Sequence, residues 1–140
     1  MITEDYVSFE TAKLLKKKGF DEKCQKVYMH NGQLLWAQIF MEGESFVNNE
    51  CIDLVAKYNN WTENTYAFLC PTLQMTMKWL REVHNIIIEP EPIWNDKKWE
   101  YQLFIVTPLN ANFPYYEHNP YKFYEKCVEA GLKYCLENLI

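Results

Sequence analysis

The stretch CPTLQMTMKWLREVHNIIIEPEPIW, residues 70–94, changes its hydrophobic period partway along, and that change constrains the fold more than any other feature of the chain. From Thr72 to Asn85, at about 100° per residue, Leu73, Thr76, Met77, Leu80, Val83 and His84 share one side. Gln74, Lys78, Arg81, Glu82 and Asn85 take the other, and Trp79 falls toward the flank of the apolar stripe. An amphipathic helix follows, with Pro71 near its first turn and Thr72 or Cys70 as its cap. Ile86, Ile87 and Ile88 then crowd a helix and suit a pleated strand.

Pro90 and Pro92 exclude a central strand, but residues two apart turn their amides to the same edge, which leaves the other edge free to pair. Ile86 to Trp94 is therefore expected to be an edge strand. Its partner is Trp99 to Thr107, across the polar turn Asn95-Asp96-Lys97-Lys98.

The same order occurs once before. Ser8 caps a helix carrying Thr11, Leu14 and Leu15 inward, which ends near Lys18 at a left-handed Gly19 with Phe20 closing over it. Lys13, Lys16 and Lys17 are read as solvated cations near the helix C-terminus, not as a phosphate site. Asn31-Gly32 then predicts a two-residue hairpin turn pairing Val27 with Trp36 and Met29 with Leu34, in strands running on through Ala37 and Ile39. A short helix over 49–58 turns Ile52, Val55 and Ala56 inward. The final helix is placed from Asn119-Pro120 onward, with Tyr121, Tyr124, Val128, Gly131, Leu132, Cys135 and Leu139 as its buried stripe. Glycine inside that stripe predicts a close backbone approach.

These elements give an α+β chain read as a single domain, 1–140. The order is helix, hairpin, short helix, helix, hairpin, helix, with one four-stranded, largely antiparallel sheet covered by helices. With 140 residues, 49% of them hydrophobic, such a domain has material for a core.

Chemistry is sparse. The five cysteines form no CxxC pair, and Cys127 and Cys135 fall on or beside the buried stripe without a histidine in the same element, which reads as structural. His30, His84 and His118 are far apart and match no metal-ligand spacing. Glu89 and Glu91 project from one face of the edge strand, where charges that guard an exposed edge are commoner than an acid-base pair. No phosphate loop or nucleophile elbow is present. A net charge of -5 disfavours nucleic-acid backbone binding. Residues 41–71 are the most acidic part, with Glu42, Glu44, Glu50, Asp53 and Glu63 against Lys57, and would suit a basic partner. No apolar run reaches the roughly 20 residues of a membrane span, and MITEDYVSFE has no signal-peptide pattern, so a cytoplasmic chain is expected.

Aromatic content is the outlying number, 16%, with ten tyrosines and five tryptophans. Trp61, Trp94, Trp99, Phe113, Tyr115 and Tyr116 lie in or beside expected loops, where rings meet partners, and form the candidate binding set. For any single ring, sealing the edge of a small core is the commoner role.

Three blocks, VSFETAKLLKKKGFDE, PTLQMTMKWLREVHNI and KYCLENLI, resemble short hypothetical proteins encoded by gut anaerobes and their phages or prophages. The resemblance lies in blocks at the start, centre and end of the chain, implies a mobile-element origin, and carries over no functional residue. The leading expectation is a non-enzymatic accessory protein, without cofactor or metal, that binds a host protein or sequesters a small nucleotide-like ligand. A self-associating structural protein, pairing through the edge strand, is the alternative, and an enzyme is the least expected.

Overall fold

A computed structural model describes residues 2–62, 66–112 and 114–140. The chain divides into two compact units, Tyr6–Pro71 and Met1–Asp5 with Thr72–Ile140.

In the first unit, α1 (Phe9–Lys17) begins where Ser8 Oγ accepts the amide of Thr11 and ends where Gly19 stands at φ +86°. The amides of Gly19 and Phe20 donate to Lys16 O and Leu15 O, closing the last turn with Phe20 buried beneath it. Strands β1 (Lys26–Met29) and β2 (Leu34–Trp36) form the expected hairpin in a different register, Val27 opposite Leu35 and Tyr28 opposite Leu34. The loop has three residues because Asn31 stays at negative φ. Its side chain accepts the amide of Gln33, and only Gly32 takes the left-handed conformation, with its own amide bonded to Met29 O. The chain then leaves the strand, and Ala37–Phe40 forms a short helix, α2, where the strand was expected to continue.

Helix α3 (Asn49–Tyr58) starts at an Asn48 cap and buries Ile52 and Ala56, leaving Val55 half-buried. Strand β3 (Ala67–Cys70), which the sequence did not reveal, pairs antiparallel with β1. Phe9 of α1 meets the rings of Tyr28 and Phe68 at 5.4 and 5.8 Å, so α1 covers the face that those two strands present there.

In the second unit, α4 (Leu73–His84) is capped by Thr72, whose hydroxyl accepts the amide of Met75, and ends at a left-handed Asn85. Its buried face is rotated from the expected one. Trp79 is 7% exposed, whereas Val83 is 56% exposed. A large indole at the flank captures more apolar area than a valine one turn later, and packing follows the larger gain. Strands β4 (Ile87–Asn95) and β5 (Lys98–Val106) form a nine-pair antiparallel hairpin, and β6 (Tyr115–Tyr116) joins the far side of β5. Strand β4 is an edge strand, as its prolines require.

Helix α5 (Tyr124–Asn138) packs on β4, β5 and α4. It begins later than Asn119-Pro120 because Tyr121 is held extended, exchanging both backbone hydrogen bonds with Tyr101 at 2.7 and 2.8 Å. Gly131 lies within its buried stripe, as expected, and Leu139 lies outside it.

The expected four-stranded sheet is not formed. Among the described residues there are two separate three-stranded antiparallel sheets, ordered β2-β1-β3 and β4-β5-β6. An isolated hairpin is marginal in water, so each recruits a third strand. Here each finds it in its own unit, in segments of four and two residues too short to show an alternating pattern.

Candidate interaction surface

The β4–β5 hairpin turns on two residues, Asp96 and Lys97, both at positive φ (50° and 65°), which is the backbone of a type I′ turn. That turn fixes the register, and the register fixes which groups face outward. On β5, Tyr101 bonds to Tyr121 and Leu103 O accepts from Glu117 N, so these residues turn their backbone groups away from β4. Their partners across the ladder, Pro92 and Pro90, accordingly turn theirs to the free edge. Both prolines sit where no bond to β5 is lost, and the free edge between Ile88 and Trp94 carries carbonyls without an N–H.

Side chains alternate across the same register. Ile88, Ile105 and Leu103 lie buried under α5, and Tyr101 continues that face to meet Tyr124 edge-on at 5.5 Å. Beyond the start of α5 the face ends in Trp94 and Trp99, directly opposed, with ring centroids 5.0 Å apart in an edge-to-face contact. They remain 61% and 53% exposed. On the reverse face Asn95 Nδ2 donates to Glu100 Oε1 at 2.8 Å, tying the turn to the strand, while Glu89 and Glu91 are exposed.

The other candidate rings have structural surroundings. Tyr115 stacks on Tyr134 of α5 at 4.4 Å, and Tyr116, 45% exposed, stacks on Phe104 at 5.6 Å. Trp61, in the first unit, is half-buried and stacks on Tyr66 at 5.3 Å. Phe113 lies outside the described residues. Of the six candidates, the structure brings together Trp94 with Trp99 and sets Tyr115 and Tyr116 on opposite faces of β6.

Two lysines of α1 have specific partners. Lys13 pairs with Glu10 at 3.0 Å over the Phe9 ring. Lys16 donates to Ala67 O at 3.1 Å above Phe68, latching α1 to β3, and burial lowers its pKa despite the opposing field of Asp53. Together with Lys17, Leu14, Glu10 and Phe68 they border a cleft of about 370 Å³. That Lys16 reaches a buried carbonyl was not visible in a helix read alone.

Glu42, Glu44, Glu50 and Asp53 are exposed, and Glu63 lies outside the described residues. Burial raises the thiols of Cys24, Cys127 and Cys135 to about 12, which removes the thiolate that nucleophilic chemistry needs. The histidines each stand edge-on to an aromatic ring: His30 to Tyr66, His84 to Trp79 and His118 to Tyr116. Among the described residues no group of three or more His, Cys, Asp or Glu side chains gathers into a metal site, and no helix is long and apolar enough to cross a membrane. Comparison with known proteins finds no matching family model, no matching curated protein and no matching solved structure.

Proposed function

We propose that this chain is a non-enzymatic binding protein that engages a partner protein through the Trp94–Trp99 end of the β4–β5 hairpin. The observation that carries this reading is the exposure of two directly opposed tryptophans on a turn-defined, nine-pair hairpin. A cross-strand aromatic pair contributes about 0.2–1 kcal/mol to the hairpin itself. That is small against the burial of two indoles, and tryptophan is the residue most enriched among interface hot spots. A protein is favoured over a small ligand because small ligands are enclosed in concave pockets, whereas these rings stand more than half in water. The resemblance of 7–22, 71–86 and 133–140 to short hypothetical proteins of gut anaerobes and their phages or prophages is what suggests an accessory role carried on a mobile element, with a host protein as the partner.

A photocrosslinking amino acid at position 94 or 99 of the full chain, in host lysate, tests the reading against controls at Tyr58 and Leu109, which are 88% and 100% exposed. One and the same protein crosslinked from 94 and 99 and absent from the controls is expected. Equal labelling from all four positions, or none from 94 and 99, overturns it.

A further inference from the structure

Between Ile88 and Trp94 the free edge of β4 is built from acceptors. Across Pro90, Glu91 and Pro92 the only backbone groups turned outward are the carbonyls of the two prolines, because Glu91 bonds back to β5. A strand docking there would leave its own facing carbonyls without donors, so ordinary strand addition loses bonds at both prolines. A group that brings only donors loses none. Arginine and lysine side chains are such groups, with no acceptor to leave unsatisfied.

Two further features of the same strand attract a cation. Trp94 and Trp99 are more than half exposed at the end of the edge, and a guanidinium or ammonium is drawn to the face of an indole. Glu89 and Glu91 are exposed on the same strand, on the face opposite the two tryptophans, so that the free edge lies between the rings and the carboxylates. Lys97 and Lys98 lie at the turn, and Lys98 pairs with Asn95, so positive charge sits at one end of the edge and leaves the length from Glu89 to Pro92 to the carboxylates and carbonyls.

We infer that the partner presents an arginine-bearing extended segment to β4, one guanidinium donating to the outward carbonyls at Pro90 and Pro92 and another stacking on the Trp94–Trp99 pair. This rests on the Trp94–Trp99 reading and adds the chemistry of what that surface takes. Arginine fits better than lysine because its planar fork offers several donors while its face stacks on indole.

The probe is a seven-residue peptide with arginine at alternate positions, compared with the same peptide carrying citrulline, which keeps the shape and most donors but no charge. Binding is read from the indole N–H resonances of the full chain, assigned with Trp94→Phe and Trp99→Phe. The arginine peptide is expected to shift the Trp94 and Trp99 resonances and to bind about tenfold more weakly when ionic strength rises from about 0.05 M to about 0.3 M. Citrulline and the Glu89→Gln/Glu91→Gln variant are each expected to weaken it at least about threefold. Equal binding of the arginine and citrulline peptides, indifference to the glutamine variant, or no shift at Trp94 and Trp99 overturns the inference. If any of these occurs while crosslinking from 94 and 99 persists, the partner's chemistry is misassigned and the contact surface stands. Loss of that crosslink removes the surface itself.

Discussion

Gly131 of α5 and Ile88 of β4 stand so close that a Cβ on Gly131 would lie 2.9 Å from Cγ2 of Ile88, and equally close to Cδ1 of Leu103. The Ile88 methyl is fixed on a β-branched carbon and has little freedom to retreat. Gly131→Ala gains about 1 kcal/mol of helix propensity but overpacks a buried contact at about 1–3 kcal/mol. The net expectation is destabilisation in urea melts. Adding Ile88→Leu, which removes Cγ2, recovers part of the loss. A more stable single variant would show that α5 stands farther from the sheet.

The turn at Asp96-Lys97 holds two non-glycine residues at positive φ, a conformation that disfavours ordinary side chains by about 1–2 kcal/mol each. Installing the asparagine-glycine pair that type I′ turns prefer, through the double change Asp96→Asn/Lys97→Gly, should stabilise the chain by about 1 kcal/mol. Loss of stability would mean that the turn is not of this type.

Prolines 90 and 92 remove the outward donors of the edge. Pro90→Thr/Pro92→Thr restores two N–H groups facing away from β5, and light scattering should then show association that rises with concentration relative to the parent chain. Unchanged scattering at every concentration would place those amides elsewhere.

Alkaline pH should weaken the fold. Thiols at about 12 in the folded chain, against 9.0 when solvated, hold their protons more tightly when folded. Their contribution is whole below pH 9 and is lost as pH rises toward about 12. Tyr115 and Tyr121, raised by burial and by Glu117, act in the same direction, and Lys16, lowered by burial, acts against it. Unfolding free energy at about pH 11 should be lower than at pH 8 by at least about 2 kcal/mol. A flat profile would mean that these thiols are solvated.

What the sequence revealed was local chemistry with one dominant solution. Ser8 and Thr72 cap their helices, Gly19 ends one, Gly131 marks a close approach, and Pro90 with Pro92 forces an edge strand. Readings failed where two local solutions lie close in energy or where a distant partner decides. Asn31-Gly32 fits both a two-residue and a three-residue loop, and the side-chain bond to Gln33 selects the second. Tyr121 could open a helix, but Tyr101 holds it extended. Strands β3 and β6 are too short for any period to show. At the candidate surface, Trp94 and Trp99 were legible as tryptophans near a turn. Their mutual contact and the outward carbonyls of the prolines needed the register, which Asp96-Lys97 sets.

The central claim is that Trp94 and Trp99 serve contact, not stability. The most direct measurement pairs a urea melt of Trp94→Ser/Trp99→Ser with the affinity of the same variant for the protein crosslinked from position 94. Exposed as these rings are, the melt should move by no more than about 1 kcal/mol, while affinity falls by about 2 kcal/mol or more, roughly thirtyfold. An affinity equal to the parent's, or a stability loss large enough to account for the lost binding, would contradict it.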